Sequence, residues 1–221
     1  NRGNPESRRY GQRGRRCAEE KRTHRVTALD GRSEETSKLA SDQSIEDVGS
    51  LDEIVKASDL ILSILVQSEA LSFARQVAES MVRTNKKIAV ADCNAVSPAT
   101  GKQIGETITA AGGQFIDAGI IGGSPRSGAV PRIYASGEHA SILGELDGKG
   151  IKVPVLNGPV GHASGLKMCY AAITKGTAAL YASTLMTAKS LGLFEDLIHE
   201  LEGSQASTLA AMDCVNSISA K

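Results

Sequence analysis

The sequence lacks an apolar, charge-free run of the roughly 18 residues that a membrane-spanning helix requires. It also lacks any CxxC spacing, because its four cysteines, Cys17, Cys93, Cys169 and Cys214, are widely scattered. This spacing excludes a clustered zinc site and the dense disulfide framework of a small secreted domain. We therefore predict no metal site, no membrane partner and a reducing compartment, the cytoplasm.

A net charge is also missing, but the charges are unevenly distributed. Residues 1–25 contain nine Lys or Arg and three Glu, and residues 1–22 have neither helical nor strand periodicity. Such a composition favours a disordered or artefactual leader over residues 1–22. A nucleic-acid arm is the alternative, although we predict no nucleic-acid partner. A transit peptide is disfavoured because the segment contains Glu6, Glu19 and Glu20.

From residue 24 onwards, short β-branched runs alternate with helical segments, which is the pattern of βαβ units around a parallel sheet. Two helix starts carry capping residues, Ser50 with Glu53 and Ser97 before Pro98. After Gly161 the chain is rich in Ala, Leu and Met, which predicts helices. The predicted strands are 24–29, 59–66, 86–92, 114–119, 132–136 and 151–156.

Lys167 is the most informative residue of the sequence. It lies in the segment SGLKMCYAAITKG, which is apolar enough around the lysine to predict a helix buried on all sides. Burial would lower the pKa of the amine towards the range in which it exchanges protons near neutral pH. Alternatively, Lys167 lies in the first helical turn and reaches solvent with its stem packed along the core.

Three other segments follow predicted strands and could bind a ligand. Gly122 and Gly123 leave backbone amides open to an anion, or they belong to an ordinary loop. Asn94 follows the strand 86–92, at the edge where open α/β sheets bind ligands. In a dinucleotide fold Arg32 and Ser33 would accommodate the 2′-phosphate of NADP, while Ser33 can also cap the following helix.

Taken in this order, the segments resemble the β-hydroxyacid dehydrogenase family, which includes 6-phosphogluconate dehydrogenase and related imine reductases. The resemblance extends from about residue 24 to residue 204. GRS is similar to the family's NADP motif, DCNAVSP to its substrate-side motif and IIGG to its Ser-Gly-Gly motif. GPVGHASGLKMCYA resembles Gly-x-x-Gly-x-Gly-x-x-x-Lys-x-x-x-Asn, and this match places the family's catalytic lysine at Lys167.

The sequence departs from the family pattern at several of these positions. Ala163 replaces the third Gly, Ile121 replaces the Ser before the Gly pair, and Asn94 with Ala95 replaces Ser-Thr. Ala171 replaces the helical Asn. Because residues four apart share a helix face, no amide stands beside Lys167. We therefore expect a substrate different from those of the best-known members.

The family's opening strand and GxGxxG turn, which bind the cofactor's pyrophosphate, have no counterpart in the Arg-rich leader. The resemblance thus predicts an α/β fold with a Rossmann-like parallel sheet that lacks its first strand and glycine-rich turn. We expect an incomplete NADP-binding domain over 23–157 and an incomplete, all-helical domain over 158–221. On this interpretation the chain is truncated at both ends.

The function that the resemblance implies is hydride transfer between NADP, with NAD disfavoured, and a small hydroxy acid or a related carbonyl or imine. Lys167 would be the general acid and base. The other expected contacts are Arg32, Ser33, Leu65 and Val66 to the cofactor and Asn94, Gly122 and Gly123 to the substrate. A homodimer through the helical region is also implied. The alternative is a non-catalytic remnant that cannot bind dinucleotide.

Overall fold

A computed structural model of the chain describes residues 24–31, 33–123 and 128–210. The chain divides into two compact units, residues 1–50 and 51–221. The predicted leader and Arg32 lie outside the described residues, and the predicted domain boundary at residue 157 remains a prediction. No helix within the described ranges is long and apolar enough to cross a membrane.

The described residues of the first unit form a short parallel strand pair and one helix. Its elements are β1 (Val26–Thr27), α1 (Glu34–Asp42) and β2 (Glu46–Asp47), with β1 paired to β2. The strand β1 is shorter than the predicted strand 24–29, because only two of its residues pair with residues of β2. Ser33 caps α1, since its hydroxyl accepts the backbone N–H of Thr36 at 3.3 Å.

The second unit is built on a four-stranded sheet in the order β3-β4-β5-β6. The strands β3, β4 and β5 are parallel, and β6 runs antiparallel to β5. This arrangement confirms the predicted α/β class with a mainly parallel sheet. The elements are α2 (Leu51–Ala57), β3 (Leu60–Ser63), α3 (Ala70–Thr84), β4 (Ala89–Asp92), α4 (Pro98–Ala110), β5 (Gln114–Ile121), β6 (Arg132–Ser136) and α5 (Ala140–Gly144).

The sixth predicted strand, 151–156, forms only isolated bridges along β6. The backbone N–H groups of Lys152 and Leu156 donate to Pro131 and Ala135. Between them stands Pro154, which has no N–H to donate, so one bond of the parallel ladder is missing. The prediction of a regular strand here is therefore wrong, for a reason that is local to one residue.

Helices cover both faces of the sheet because consecutive residues of each strand point to opposite sides. Phe115 of β5 packs with Val77 of α3 and Ile104 of α4 in one core cluster. The next residue, Ile116, packs on the other face with Leu143 of α5. The strands are therefore held rigidly from both sides, and their carboxyl ends form a fixed edge.

The remainder of the described chain is helical, as predicted. It comprises α6 (His162–Ala171), a π-helical turn (Ala172–Gly176), α7 (Thr177–Ser190) and α8 (Phe194–Ser204). The prediction that the segment around Lys167 is buried on all sides is wrong, because Leu166, Tyr170 and Ile173 are exposed. Among the described residues, the elements that pack on α6 from elsewhere in the fold are β5, β6 and α4, and they leave these side chains uncovered.

Candidate active site

The candidate site lies at the carboxyl edge of the sheet. Ser63, Asp92 and Asp117 lie side by side in register on β3, β4 and β5, and β3 and β4 end there. The strand β5 continues for four more residues to Ile121 and is followed by Gly122 and Gly123. Open α/β sheets bind ligands at this edge, and the helix α6 packs against β5 beside it.

Lys167 is held against the end of β5 by its amine. It lies in the second turn of α6 and is half-buried, and its Nζ donates to the carbonyl oxygen of Ile120 at 2.6 Å. Burial lowers the pKa of Lys167, and the charge of Lys175 lowers it further, against a smaller opposing effect of Cys93. Of the two sequence interpretations, the structure therefore supports a partly desolvated amine whose tip is bound at the sheet edge.

A glycine in β5 permits this close approach of α6. A Cβ atom at Gly119 would lie 2.9 Å from the carbonyl oxygen of Ala163 and 3.1 Å from Cβ of Lys167. Both distances are shorter than ordinary van der Waals contact, so a larger residue would push the helix outwards. The position of the Lys167 amine thus depends on the absence of a side chain two residues after Asp117.

Asp117 fastens the first turn of α6 to the sheet. Its fully buried carboxylate accepts the backbone N–H groups of Gly161, Ala163 and Ser164 at 2.9, 3.0 and 3.1 Å. It also accepts the hydroxyls of Ser136, at 2.8 Å, and of Ser164. These N–H groups have no partner within a helix, and an anion at this end is favoured by the helix dipole.

Sequence reasoning missed Asp117, although a cue was available. An acidic residue stands alone in the apolar strand QFIDAGII. A buried carboxylate must be supplied with hydrogen-bond donors, so the strand had to meet several donors at this position. The cue does not say which donors, because they lie up to 47 residues away along the chain.

Asn94 is buried and links the ends of β3 and β4. Its Nδ2 donates to the hydroxyl of Ser63 at 2.9 Å and to the carboxylate of Asp92, and its Oδ1 accepts the backbone N–H of Leu65. Its amide is thus engaged by the protein itself and fixes the loop after β3. Whether Asn94 also contacts the substrate stays a prediction.

The other predicted site residues occupy different surroundings. Val66 is 67% exposed and Leu65 is half-buried, directly after β3, so the loop offers an apolar surface at the ligand edge. Gly122 and Gly123 are exposed, and the φ of 131° at Gly122 is one that side chains rarely adopt. Ser33 belongs to the first unit, where it caps α1.

Asp92 is a buried carboxylate with an unpaired oxygen. It is 1% exposed, and no hydrogen-bond partner of its Oδ2 is found among the described residues. Burial raises the pKa of Asp92 and the neighbouring Asp117 raises it further, against hydrogen bonds from Asn94 and Ser63 that lower it. Asp92 therefore ionises at a higher pH in the folded protein than an exposed aspartate does.

We predict that the free energy of unfolding of the Asp92→Asn variant depends less on rising pH than that of the wild type. A carboxyl whose folded pKa is raised contributes stability below its unfolded pKa of about 4, and this contribution is lost as pH rises through the folded value. The amide cannot ionise, so the variant should gain stability relative to the wild type as pH rises. Urea unfolding at about pH 5 and about pH 8 measures this difference.

The exposed Asp59 provides the matched control for Asp92. Asp59→Asn should follow the wild-type pH dependence, because its side chain is accessible to water in both states. An Asp92→Asn variant whose free energy of unfolding declines with pH in parallel with the wild type would show that Asp92 is ionised when folded.

The parallel sheet, its ligand edge and the lysine-bearing helix define a protein of the dinucleotide-binding α/β class. Residues 14–143 match the family described as the NAD binding domain of 6-phosphogluconate dehydrogenase. The chain belongs to this family, as the sequence resemblance predicted, and it carries an NAD(P)-binding domain of the hydroxyacid dehydrogenase type.

Two relatives are about 30% identical to the chain. An uncharacterised 28.5 kDa protein of Methanothermus fervidus is 32% identical over 179 residues, which are 81% of this chain and 67% of that protein. A conserved protein, MTH1747, whose structure is described as similar to 3-hydroxyacid dehydrogenases, is 30% identical with a TM-score of 0.68. That match covers 88% of this chain and 72% of the other.

More distant structures share the fold. The 3-hydroxyisobutyrate dehydrogenase of Mycobacterium tuberculosis is 16% identical with a TM-score of 0.59, over 77% of this chain and 60% of that enzyme. An imine reductase variant of Myxococcus stipitatus is 19% identical with a TM-score of 0.57, over 82% of this chain and 64% of the other. The chain therefore spans less than two thirds of the length of these two enzymes.

Proposed function

We propose that the chain binds NADP in preference to NAD and takes part in hydride transfer to or from a small hydroxy acid or a related imine. The observation that carries this proposal is the placement of Lys167. Its amine is half-buried, its pKa is lowered by burial, and it is bound to Ile120 two residues before Gly122. A lysine whose pKa is lowered accepts a proton at a lower pH than an exposed lysine does, which suits a general base at a ligand edge.

Lys167 has the contacts that a general acid and base requires. One N–H of its amine is directed to the carbonyl oxygen of Ile120, which fixes the nitrogen and leaves its other positions for a substrate hydroxyl. As a free amine, Lys167 accepts the hydroxyl proton during oxidation. As an ammonium ion, it returns that proton during reduction.

The two glycines after β5 supply the anion-binding part of the proposal. Gly122 and Gly123 are exposed directly beyond the strand whose Ile120 carbonyl holds the Lys167 amine. Without side chains, their backbone amides can be approached closely by a carboxylate. A hydroxy acid bound there would present its hydroxyl to the neighbouring amine.

Each of the two units by itself has features that suit one part of a dinucleotide. The exposed Ile64 and Val66 offer apolar surface at the end of β3, while the N–H of Leu65 is engaged by Asn94. In the first unit, Ser33 is the N-cap of α1, and a helix N-terminus favours a phosphate; Arg32 would add a positive charge. When bound, NADP supplies the hydride acceptor.

Titration with NADPH and NADH, followed by calorimetry, tests the cofactor proposal. We expect saturable micromolar binding of NADPH and weaker binding of NADH. Arg32→Ala should lower NADPH affinity by roughly tenfold and leave NADH affinity within about twofold, because the 2′-phosphate loses a charged hydrogen-bond donor. The exposed Arg75 of α3 is the control, and Arg75→Ala should change neither affinity. Absence of saturable binding would favour the non-catalytic remnant.

A further inference from the structure

The amide of Asn94 is engaged by the protein through both its nitrogen and its oxygen. Asn94 is 3% exposed, and its Nδ2 donates to the hydroxyl of Ser63 at 2.9 Å and to Oδ1 of Asp92. Its Oδ1 accepts the backbone N–H of Leu65. An asparagine amide has two N–H donors and one carbonyl acceptor, and the neighbouring strand ends and loop satisfy them all. The side chain is therefore placed to act on the protein around it.

Asp92 and Leu65 together fix which way the amide of Asn94 faces. On one side, Oδ1 of Asp92 accepts a hydrogen bond, and on the other side the N–H of Leu65 donates one. A reversed amide would place its oxygen against Oδ1 of Asp92 and its nitrogen against the N–H of Leu65. Both contacts would leave buried polar groups unpaired, so the protein stabilises only one orientation of the amide.

The loop that this amide holds has two exposed apolar side chains. It comprises residues 64–66, between the end of β3 and the 3₁₀ turn Gln67–Glu69. Ile64 is 58% exposed and Val66 67%, whereas Leu65 between them is half-buried. The N–H of Leu65 thus binds the loop to the buried strand ends, while the side chains on either side of it are accessible to a ligand.

The groups that support Asn94 belong to the rigid part of the sheet. Ser63 and Asp92 are both buried, and they lie side by side in register as the last residues of β3 and β4. The backbone of Cys93 donates to the carbonyl oxygen of Ser63 at 2.9 Å and continues this pairing. A loop that is bound to such a support is ordered before a ligand arrives, and it loses less conformational entropy when the ligand binds.

We propose that Asn94 and Asp92 are positioning residues for the cofactor, which hold the loop 64–66 in the conformation that binds the nicotinamide half of the dinucleotide. This inference rests on the proposed function. The nicotinamide half is assigned to the loop because the loop and Lys167 lie at the same sheet edge, where the hydride is transferred. The 2′-phosphate is assigned to Ser33 in the first unit, so its binding should not depend on Asn94.

Calorimetry with NADPH and with adenosine 2′,5′-bisphosphate, which has the 2′-phosphate but no nicotinamide, tests this role. Asn94→Leu should weaken NADPH binding about tenfold and Asp92→Leu about fivefold, while the affinity for the bisphosphate stays within about twofold. Asp92→Asn should keep the wild-type affinity for NADPH, because its carbonyl oxygen still accepts the N–H of Asn94. The exposed Asp59 precedes β3 at the far end of the strand, and Asp59→Leu is the control that should change neither affinity.

Amide hydrogen exchange without any ligand provides a second measurement. The N–H of Leu65 should exchange about tenfold faster in Asn94→Leu than in the wild type. The N–H of Gln114, which donates to Ile88 at the opposite end of the sheet, should keep its wild-type rate. An unchanged rate at Leu65, or equal acceleration of both N–H groups, would overturn the inference.

The two titrations also distinguish this inference from the proposed function. Wild-type NADPH binding that Asn94→Leu leaves unchanged, or an equal loss of NADPH and bisphosphate affinity in that variant, would overturn the positioning role alone. Absence of NADPH binding by the wild type would contradict the proposed function and the positioning role with it. A selective loss of NADPH affinity that Asp92→Asn does not show would support both.

Discussion

Replacing Lys167 by methionine is expected to lower kcat for hydroxy acid oxidation by roughly a thousandfold while NADPH affinity changes less than about twofold. Methionine keeps an unbranched stem to pack beside Gly119 but has no amine to accept the hydroxyl proton. The hydrogen bond to Ile120 is lost together with the proton acceptor. Steady-state kinetics with NADP and a small hydroxy acid, combined with NADPH titration, separates chemistry from cofactor binding.

The pH profile adds an independent measurement of the same role. Burial lowers the pKa of Lys167, so the free amine becomes available at a lower pH than for an exposed lysine. In the wild type, oxidation should therefore become faster as pH rises through that pKa, and reduction should become slower. The exposed Lys149 serves as control, since Lys149→Met should keep both rate and profile. Turnover that survives in Lys167→Met would remove Lys167 from the mechanism.

Asp117→Ala is expected to lower the free energy of unfolding by about 4 kcal/mol, because breaking a buried charge network commonly costs about 3–5 kcal/mol. The substitution leaves the backbone N–H groups of Gly161 and Ser164 without their acceptor, while the N–H of Ala163 keeps only the hydroxyl of Ser136. The hydroxyls of Ser136 and Ser164 lose the same partner. Urea unfolding followed by circular dichroism measures the loss.

Two further variants distinguish the contribution of the carboxylate to stability from that of its hydrogen-bond donors. Ser136→Ala removes one donor and keeps the charge, so it should cost only about 1 kcal/mol. Asp117→Asn keeps the shape but replaces one accepting oxygen by a donor. Its loss of unfolding free energy should therefore lie between those of Asp117→Ala and Ser136→Ala. If the free energy of unfolding of Asp117→Ala lies within about 1 kcal/mol of the wild-type value, the carboxylate does not hold α6 to the sheet.

The local parts of the fold could be predicted because their causes are local. A short apolar run between polar and glycine residues predicted a strand at 132–136, where the structure has β6. Ser97 and Pro98 marked the start of α4, where the hydroxyl of Ser97 accepts the backbone N–H of Thr100 at 3.1 Å. The lysine at 167 and the glycines at 122 and 123 were recognised because their order and spacing resemble those of a known family.

The candidate site was predicted only as separate pieces. The sequence indicated an amine after residue 166 and a glycine pair after a strand, but not the hydrogen bond from Lys167 to Ile120. The roles of Asn94 in linking two strand ends and of Asp117 in fastening a helix also remained hidden. Each of these contacts joins residues 29 to 47 positions apart, so no local pattern records it.

By itself, the sequence determined the α/β class, most helix and strand positions and the family, because these follow from periodicity, capping residues and motif spacing over short stretches of chain. Only the tertiary structure decided that the helix around Lys167 is covered on one face and that a buried aspartate holds its first turn. Burial and hydrogen bonding depend on which distant segments meet, and packing alone settles that.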